Sequence, residues 1–220
     1  MMTTYDTRYK QTGEQHGFEF TCVGNINLLE DDNCTRFNVT GDRRPWSNVE
    51  REAEQAVEAM LHHKYPVLVT GGARGAEACA VRHAVKVGIP VAVVLGTGVD
   101  KCCPEKHERL HETVLEANGA LVSIFPDDRE PRPAQFVQRS ELVAKMTDIL
   151  VVCACKRRSG AMLLAQNNKE LGANVYAYVQ GHEESCNGNN YLIRDGVAEM
   201  IASYADLKAI TKPVKGVVSI

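Results

Sequence analysis

The stretch that most constrains the fold is VLVTGGARGAEACA, residues 67–80. An apolar run stops at Thr70-Gly71-Gly72 and restarts as a small-residue helical pattern. That reads as a buried strand feeding a helix through a tight glycine turn. Gly71, Gly72 and Gly75 let a ligand approach the backbone closely, the first N–H groups of the helix favour an anion, and Arg74 adds a positive charge. Taken alone, the glycines serve helix–strand packing equally well.

The same grammar repeats along the chain. Apolar strands are expected at 18–23, 36–39, 67–70, 89–95, 120–124, 148–153 and 174–179, with helices between them at 49–61, 76–87, 104–117, 136–146 and 160–171. Residues 126–135 form the one long proline-rich loop. Strand–helix alternation with near-continuous apolar strands predicts an α/β fold: a doubly wound, mostly parallel sheet covered by helices on both faces. Right-handed crossovers place the strand C-terminal ends on one edge, so the turns at Gly41, Gly71, Gly96 and Ser159 open toward the same side. Those turns carry Arg43, Arg44, Arg74, Lys156, Arg157 and Arg158, enough for one anion-binding crevice on a chain of formal net charge −3.

At 220 residues and 44% hydrophobic content, one core is expected. The reading divides the chain into a flexible stretch at 1–16, a single domain at 17–205 and a tail at 206–220. No window has the length and apolarity of a membrane span and the first residues lack a signal-peptide core, so a soluble, cytoplasmic protein is expected. The eight cysteines are spread through the chain and read as reduced thiols. Cys153 and Cys155 flank one strand residue and should share a face. The pair Cys102-Cys103 has no supporting redox motif. His107-Glu108-Arg109-Leu110-His111 fits H-E-x-x-H, a zinc-binding helix motif, but no third ligand accompanies it. No metal and no cofactor are expected.

At the glycine turns the sequence resembles the DNA-processing protein A (DprA, also Smf) family. VTGDR at 39–43 is similar to the family's V-G-S-R turn, and TGGARGAE at 70–77 to S-G-x-A-x-G-I-D. GTGVDKCCP at 96–104 is similar to G-x-G-x-D-x-x-Y-P, with Cys103 in place of tyrosine. GALVSIFP at 119–126, residues 131–143, RSGAMLLA at 158–165 and residues 190–196 follow further family segments in the same order. Asp42 stands in place of serine, and Ser140-Glu141 in place of the N-R of an R-N-R segment. The resemblance implies a Rossmann-like domain, in a minimal or divergent member without the flanking domains of many relatives. It also implies single-stranded DNA binding, with Arg43, Phe136, Arg139, Arg158, Ser159 and Gly160 on the strand, and RecA-type recombinase as a partner. Arginines neutralise phosphates, helix N-termini receive them, and an exposed aromatic stacks a base.

Three functions stay open on the sequence. One is a non-catalytic single-stranded DNA-binding module in DNA uptake or recombination, as a homodimer. A second is a nucleotide-binding or nucleotide-hydrolysing enzyme akin to the LOG-type hydrolases, with Glu77 as its carboxylate. Its glycine spacing and the position of Glu77 depart from that family's P-G-G-x-G-T-x-x-E stretch. The third is an assembly protein whose fold mainly supports dimerisation.

Overall fold

The computed structural model describes residues 10–43, 47–180 and 188–211. In chain order the elements are β1 Lys10–Gln15, β2 Phe18–Gly24, α1 Asn27–Glu30, β3 Thr35–Thr40, α2 Ser47–Met60, β4 Pro66–Thr70, α3 Ala76–Val87, β5 Val91–Val94, α4 Glu108–Glu116 and β6 Ala120–Ser123. They continue with α5 Pro133–Lys145, β7 Ile149–Val152, α6 Gly160–Glu170, β8 Asn174–Tyr178, α7 Gly188–Arg194, β9 Glu199–Ile201 and α8 Tyr204–Ile210.

The strands form one nine-stranded sheet in the order β1-β2-β6-β5-β4-β3-β7-β8-β9. Every pairing from β6 to β9 is parallel, and the β1–β2 and β2–β6 pairings are antiparallel. The expected mostly parallel, doubly wound sheet is what the chain forms. Strand periodicity sorts the side chains into two layers. Phe37, Val39, Leu68, Val93 and Val151 pack with α2, α3 and α8. Val67, Val69, Ala92 and Val94 pack with α1 and α5, and Leu150, Val152, Val175 and Ala177 with α6 and α7. From β3 the chain winds outward through β4, β5 and β6, then returns to pair β7 on the opposite side of β3. This reversal is the topological switch point, where open α/β sheets leave a crevice at the strand C-terminal ends.

Four sequence expectations change. Residues 10–15 are not frayed but form β1, which pairs with β2 across His16 and Gly17, both at positive φ (52° and 76°). That is the backbone of a two-residue hairpin turn. Lys10 then ties this edge to the loops beyond β5 and β6 through Asp100 at 2.8 Å and Asp127 at 2.9 Å. Part of the expected tail is also ordered: α8 buries Leu207 in the core. Helix α5 starts at Pro133, inside the expected loop, because proline suits a first helical turn. Cys153 and Cys155 do not share a face. Cys153 packs with α2 and α3, Cys155 with α6, since β7 ends at Val152 and strict alternation stops there. Among the described residues, no helix is long and apolar enough to cross a membrane.

Candidate nucleic-acid interface

A cavity of about 360 Å³ opens at the switch point. Gly41, Asp42 and Arg43 after β3, Gly71 and Ala73 after β4, and Lys156, Ser159 and Gly160 before α6 meet there, as the convergence of strand-end turns requires. The turns touch directly. A Cβ on Gly75 would lie 2.1 Å from the Asp42 carbonyl oxygen, and Gly75 itself holds φ +85°, so glycine suits this close crossing. Arg43 lines the cavity, and Arg74, Arg157 and Arg158 are exposed in the turns that build it. Arg158 adopts a left-handed φ of 59°, uncommon for a residue with a Cβ. Arg44 lies outside the described residues.

Two helix N-termini approach the cavity and differ in what they offer. In the turn leading into α3, the Gly72 N–H donates to Thr70 Oγ1 (3.1 Å), the Ala73 N–H to Glu77 Oε2 (2.9 Å) and the Ala76 N–H to the Asp42 carbonyl (3.3 Å). Donors on which the sequence placed an anion are thus engaged within the protein. The N-terminus of α6 is capped by Ser159, whose Oγ accepts from Met162 N (3.3 Å), and Gly160 and Ala161 begin the helix at the cavity wall. The better anion position is α6.

Asp42, which puts a negative charge into the first turn, faces Lys156 Nζ at 3.5 Å across the mouth. Deeper in, Glu77 accepts hydrogen bonds from the hydroxyls of Thr40 and Thr70, both at 3.2 Å, besides Ala73 N–H. Arg139 lies 3.8 Å from the same carboxylate. The Arg139 guanidinium fills the space a Cβ of Gly71 would occupy, is only 7% exposed, and stands 5.8 Å from the Phe136 ring centroid. Burial pulls its pKa below the usual arginine value, opposed by the Glu77 charge. Arg139 is therefore a wall between two compartments, not the exposed contact expected from sequence. On its far side Phe136, half-buried against Gly96, lines a smaller cavity of about 170 Å³ with Arg43, Arg74, Cys103 and Pro104.

The H-E-x-x-H stretch is used structurally. His107 precedes α4, with Nδ1 2.9 Å from the Gly72 carbonyl. His111 sits 3.5 Å from Cys102 Sγ, and burial lowers its pKa to about 4. Among the described residues no group of three or more His, Cys, Asp or Glu could hold a metal.

Sequence reasoning missed two residues here. Asn38 in β3, fully buried with both side-chain polar atoms lacking hydrogen-bond partners, lies among the cavity-lining residues. Its signal was a polar residue inside an apolar strand. Tyr191 stacks on Arg157, with the Arg157 Cζ 4.4 Å from its ring centroid. The two lie in separate segments, and no local pattern joins them.

With this geometry in view, the profile of the family described as DNA recombination-mediator protein A matches residues 2–212. The chain belongs to that family. Among similar proteins, the protein Smf of Escherichia coli is 36% identical over 113 residues, covering 50% of this chain and 30% of that one. The DNA processing protein DprA of Streptococcus pneumoniae is 26% identical over 190 residues, covering 84% of this chain and 64% of that one. This chain thus spans less than two thirds of these curated relatives. A solved structure of DNA processing protein A from Helicobacter pylori, described for its single-stranded DNA binding mode, superposes with a TM-score of 0.82 at 23% identity. It covers 96% of this chain and 97% of that one. At that identity the likeness shows the Rossmann-like fold of the family.

Proposed function

We propose that the switch-point cavity holds the backbone of single-stranded DNA, and that the protein is a binding module with no chemical step. One observation carries this reading: the turns after β3 and β7 bring Arg43 and Lys156 into one cavity with the N-terminus of α6, and Arg158 is exposed in the second of those turns. Cations and a helix N-terminus at one cavity suit phosphate. Phe136, beside Arg43 and Arg74, adds a ring face for a base in the neighbouring compartment. The single-stranded DNA binding of the Helicobacter pylori relative supports the same ligand.

Family membership supports a place in DNA processing and recombination, and the proposal extends to a cytoplasmic homodimer working with a RecA-type recombinase. A LOG-type hydrolase would need Glu77 aimed at a nucleotide. Its carboxylate instead serves two threonine hydroxyls and a backbone amide beside Arg139, which favours a structural role. Titration of fluorescent oligothymidine against protein, beside a nucleoside monophosphate competitor, separates the readings. Salt-sensitive oligonucleotide binding that the monophosphate displaces only weakly supports the module. Free base released from the monophosphate, and lost in Glu77→Ala, supports the hydrolase.

A further inference from the structure

Beyond the rim of the cavity, a tyrosine ring is bracketed by two arginines. The Arg157 Cζ is 4.4 Å and the Arg194 Cζ 4.5 Å from the Tyr191 ring centroid, both within cation–π range. We propose that Arg157, Tyr191 and Arg194 form a rail that takes the backbone of single-stranded DNA as it leaves the cavity. The proposal rests on the single-stranded DNA reading of the cavity and extends it to residues outside it.

The rail is fixed in place before any ligand arrives. Asn189, fully buried at the start of α7, donates from Nδ2 to the carbonyls of Val152 (3.1 Å), Cys153 (2.9 Å) and Tyr178 (2.9 Å). Its Oδ1 accepts from the Cys155 N–H at 2.9 Å. These bonds pin α7 to the C-terminal ends of β7 and β8, and the turn after β7 is one wall of the cavity. Two residues on, Tyr191 meets Arg157, which directly precedes Arg158 and Ser159 at the rim. Stacking on a shared ring restricts two long side chains that would otherwise lose rotamer freedom on binding.

The patch already holds an anion of its own. Asp195 Oδ1 accepts from Arg194 Nε at 2.7 Å, and this bond holds the Asp195 carboxyl below its usual range, with Arg157 adding to the effect. Arg194 and Asp195 are 65% and 48% exposed, and such a pair contributes little stability, so a phosphate can displace the carboxylate. Continuity with the cavity rim selects the occupant. A strand that enters between Arg43 and Ser159 meets Lys156 in the cavity and then its neighbour Arg157 without leaving a basic surface, and guanidinium planes also stack on unpaired bases.

The test compares oligothymidines of about 5 and about 20 nucleotides, lengths that bracket the few nucleotides one such groove engages. Tyr191→Ala and Arg194→Ala are expected to bind the short strand as the unmodified protein does. They should bind the long strand several-fold more weakly, with a shallower salt dependence, and Asp195→Asn should bind the long strand more tightly. The rail is overturned if both alanine variants bind the long strand unchanged, or if they weaken short and long strands equally, since they would then act on the cavity. Should the unmodified protein bind neither strand while keeping its native melting transition, the cavity reading falls together with the rail. Loss of short-strand binding in Arg43→Ala beside silent rail variants removes the rail alone. The three rail substitutions lie on a short helix or just beyond it, with Arg194 and Asp195 exposed and Tyr191 half-buried, and an unchanged melting midpoint confirms that each variant folds.

Discussion

Lys156 Nζ and Asp42 Oδ2 face each other at 3.5 Å across the mouth of the switch-point cavity. Lys156 is 53% exposed at its side chain and Asp42 only 11%, so the carboxylate is the inner partner and the ammonium the outer one. A phosphate entering the cavity must share Lys156 with Asp42. On the proposed single-stranded DNA reading, the charge balance of this entrance sets affinity.

Asp42→Asn removes the competing carboxylate while keeping its shape. Oligothymidine affinity is expected to rise about fivefold at low salt, on the scale where 1.4 kcal/mol is tenfold. Lys156→Ala should lower affinity by more than the loss of one phosphate contact, because Asp42 is left opposing the strand. Fluorescence anisotropy at two salt concentrations reads both.

The side chains of Arg139 and Glu77 are 8% and 13% exposed and stand 3.8 Å apart. Arg139→Ala leaves a partly buried carboxylate without its cation, a loss of about 3 kcal/mol or more by the usual cost of breaking such pairs. The midpoint of chemical unfolding should fall accordingly. Gly71→Ala should also destabilise the protein, since its Cβ would fall on the Arg139 guanidinium.

Asn189→Ala strips four buried hydrogen bonds from the ends of β7 and β8; the Cys153 carbonyl keeps Gln180 Nε2 at 2.6 Å, and the Cys155 amide loses its Asn189 acceptor. A loss of about 3 kcal/mol is expected. Hydrogen exchange should show α7 loosening before the central strands.

Two buried groups set opposing pH trends. His111 has its pKa lowered from 6.5 to about 4, so the unfolded chain binds the proton more readily than the folded one between those values. Its contribution is present above pH 6.5 and is lost as pH falls toward 4. Glu52, raised by burial from 4.5 to about 7, holds its proton more tightly when folded. Its contribution is present below pH 4.5 and is lost as pH rises toward 7. The two partly cancel between pH 4.5 and 6.5. His111→Phe should expose a stability that falls with rising pH in that window, and Glu52→Gln one that rises, as thermal melts across pH would show.

Much of this architecture was legible because it is periodic. The strands from β3 to β8 are apolar runs ending at turn residues, and the turn positions alone placed Gly41, Gly71 and Ser159 on one edge. The edges were not legible. β1 reads KQTGEQ, with no apolar face to mark it, and its pairing depends on the hairpin geometry of His16 and Gly17. In the site, sequence marked Arg43 and Arg158 at exposed rims, while Arg139 looks the same in sequence whether it points outward or lies against Gly71. Asn189 and Tyr191 acquire their roles only from contacts with distant strand ends and with Arg157.

The central claim is that phosphates sit among the basic turns at the switch point, and salt-dependent oligothymidine binding measures this most directly. Affinity should fall steeply as salt rises. Arg43→Ala and Arg158→Ala should each weaken binding and reduce the log–log slope by about 0.7, the value for one phosphate on a single strand. Absence of binding at low salt by folded protein, or slopes unchanged in both variants, would contradict the account.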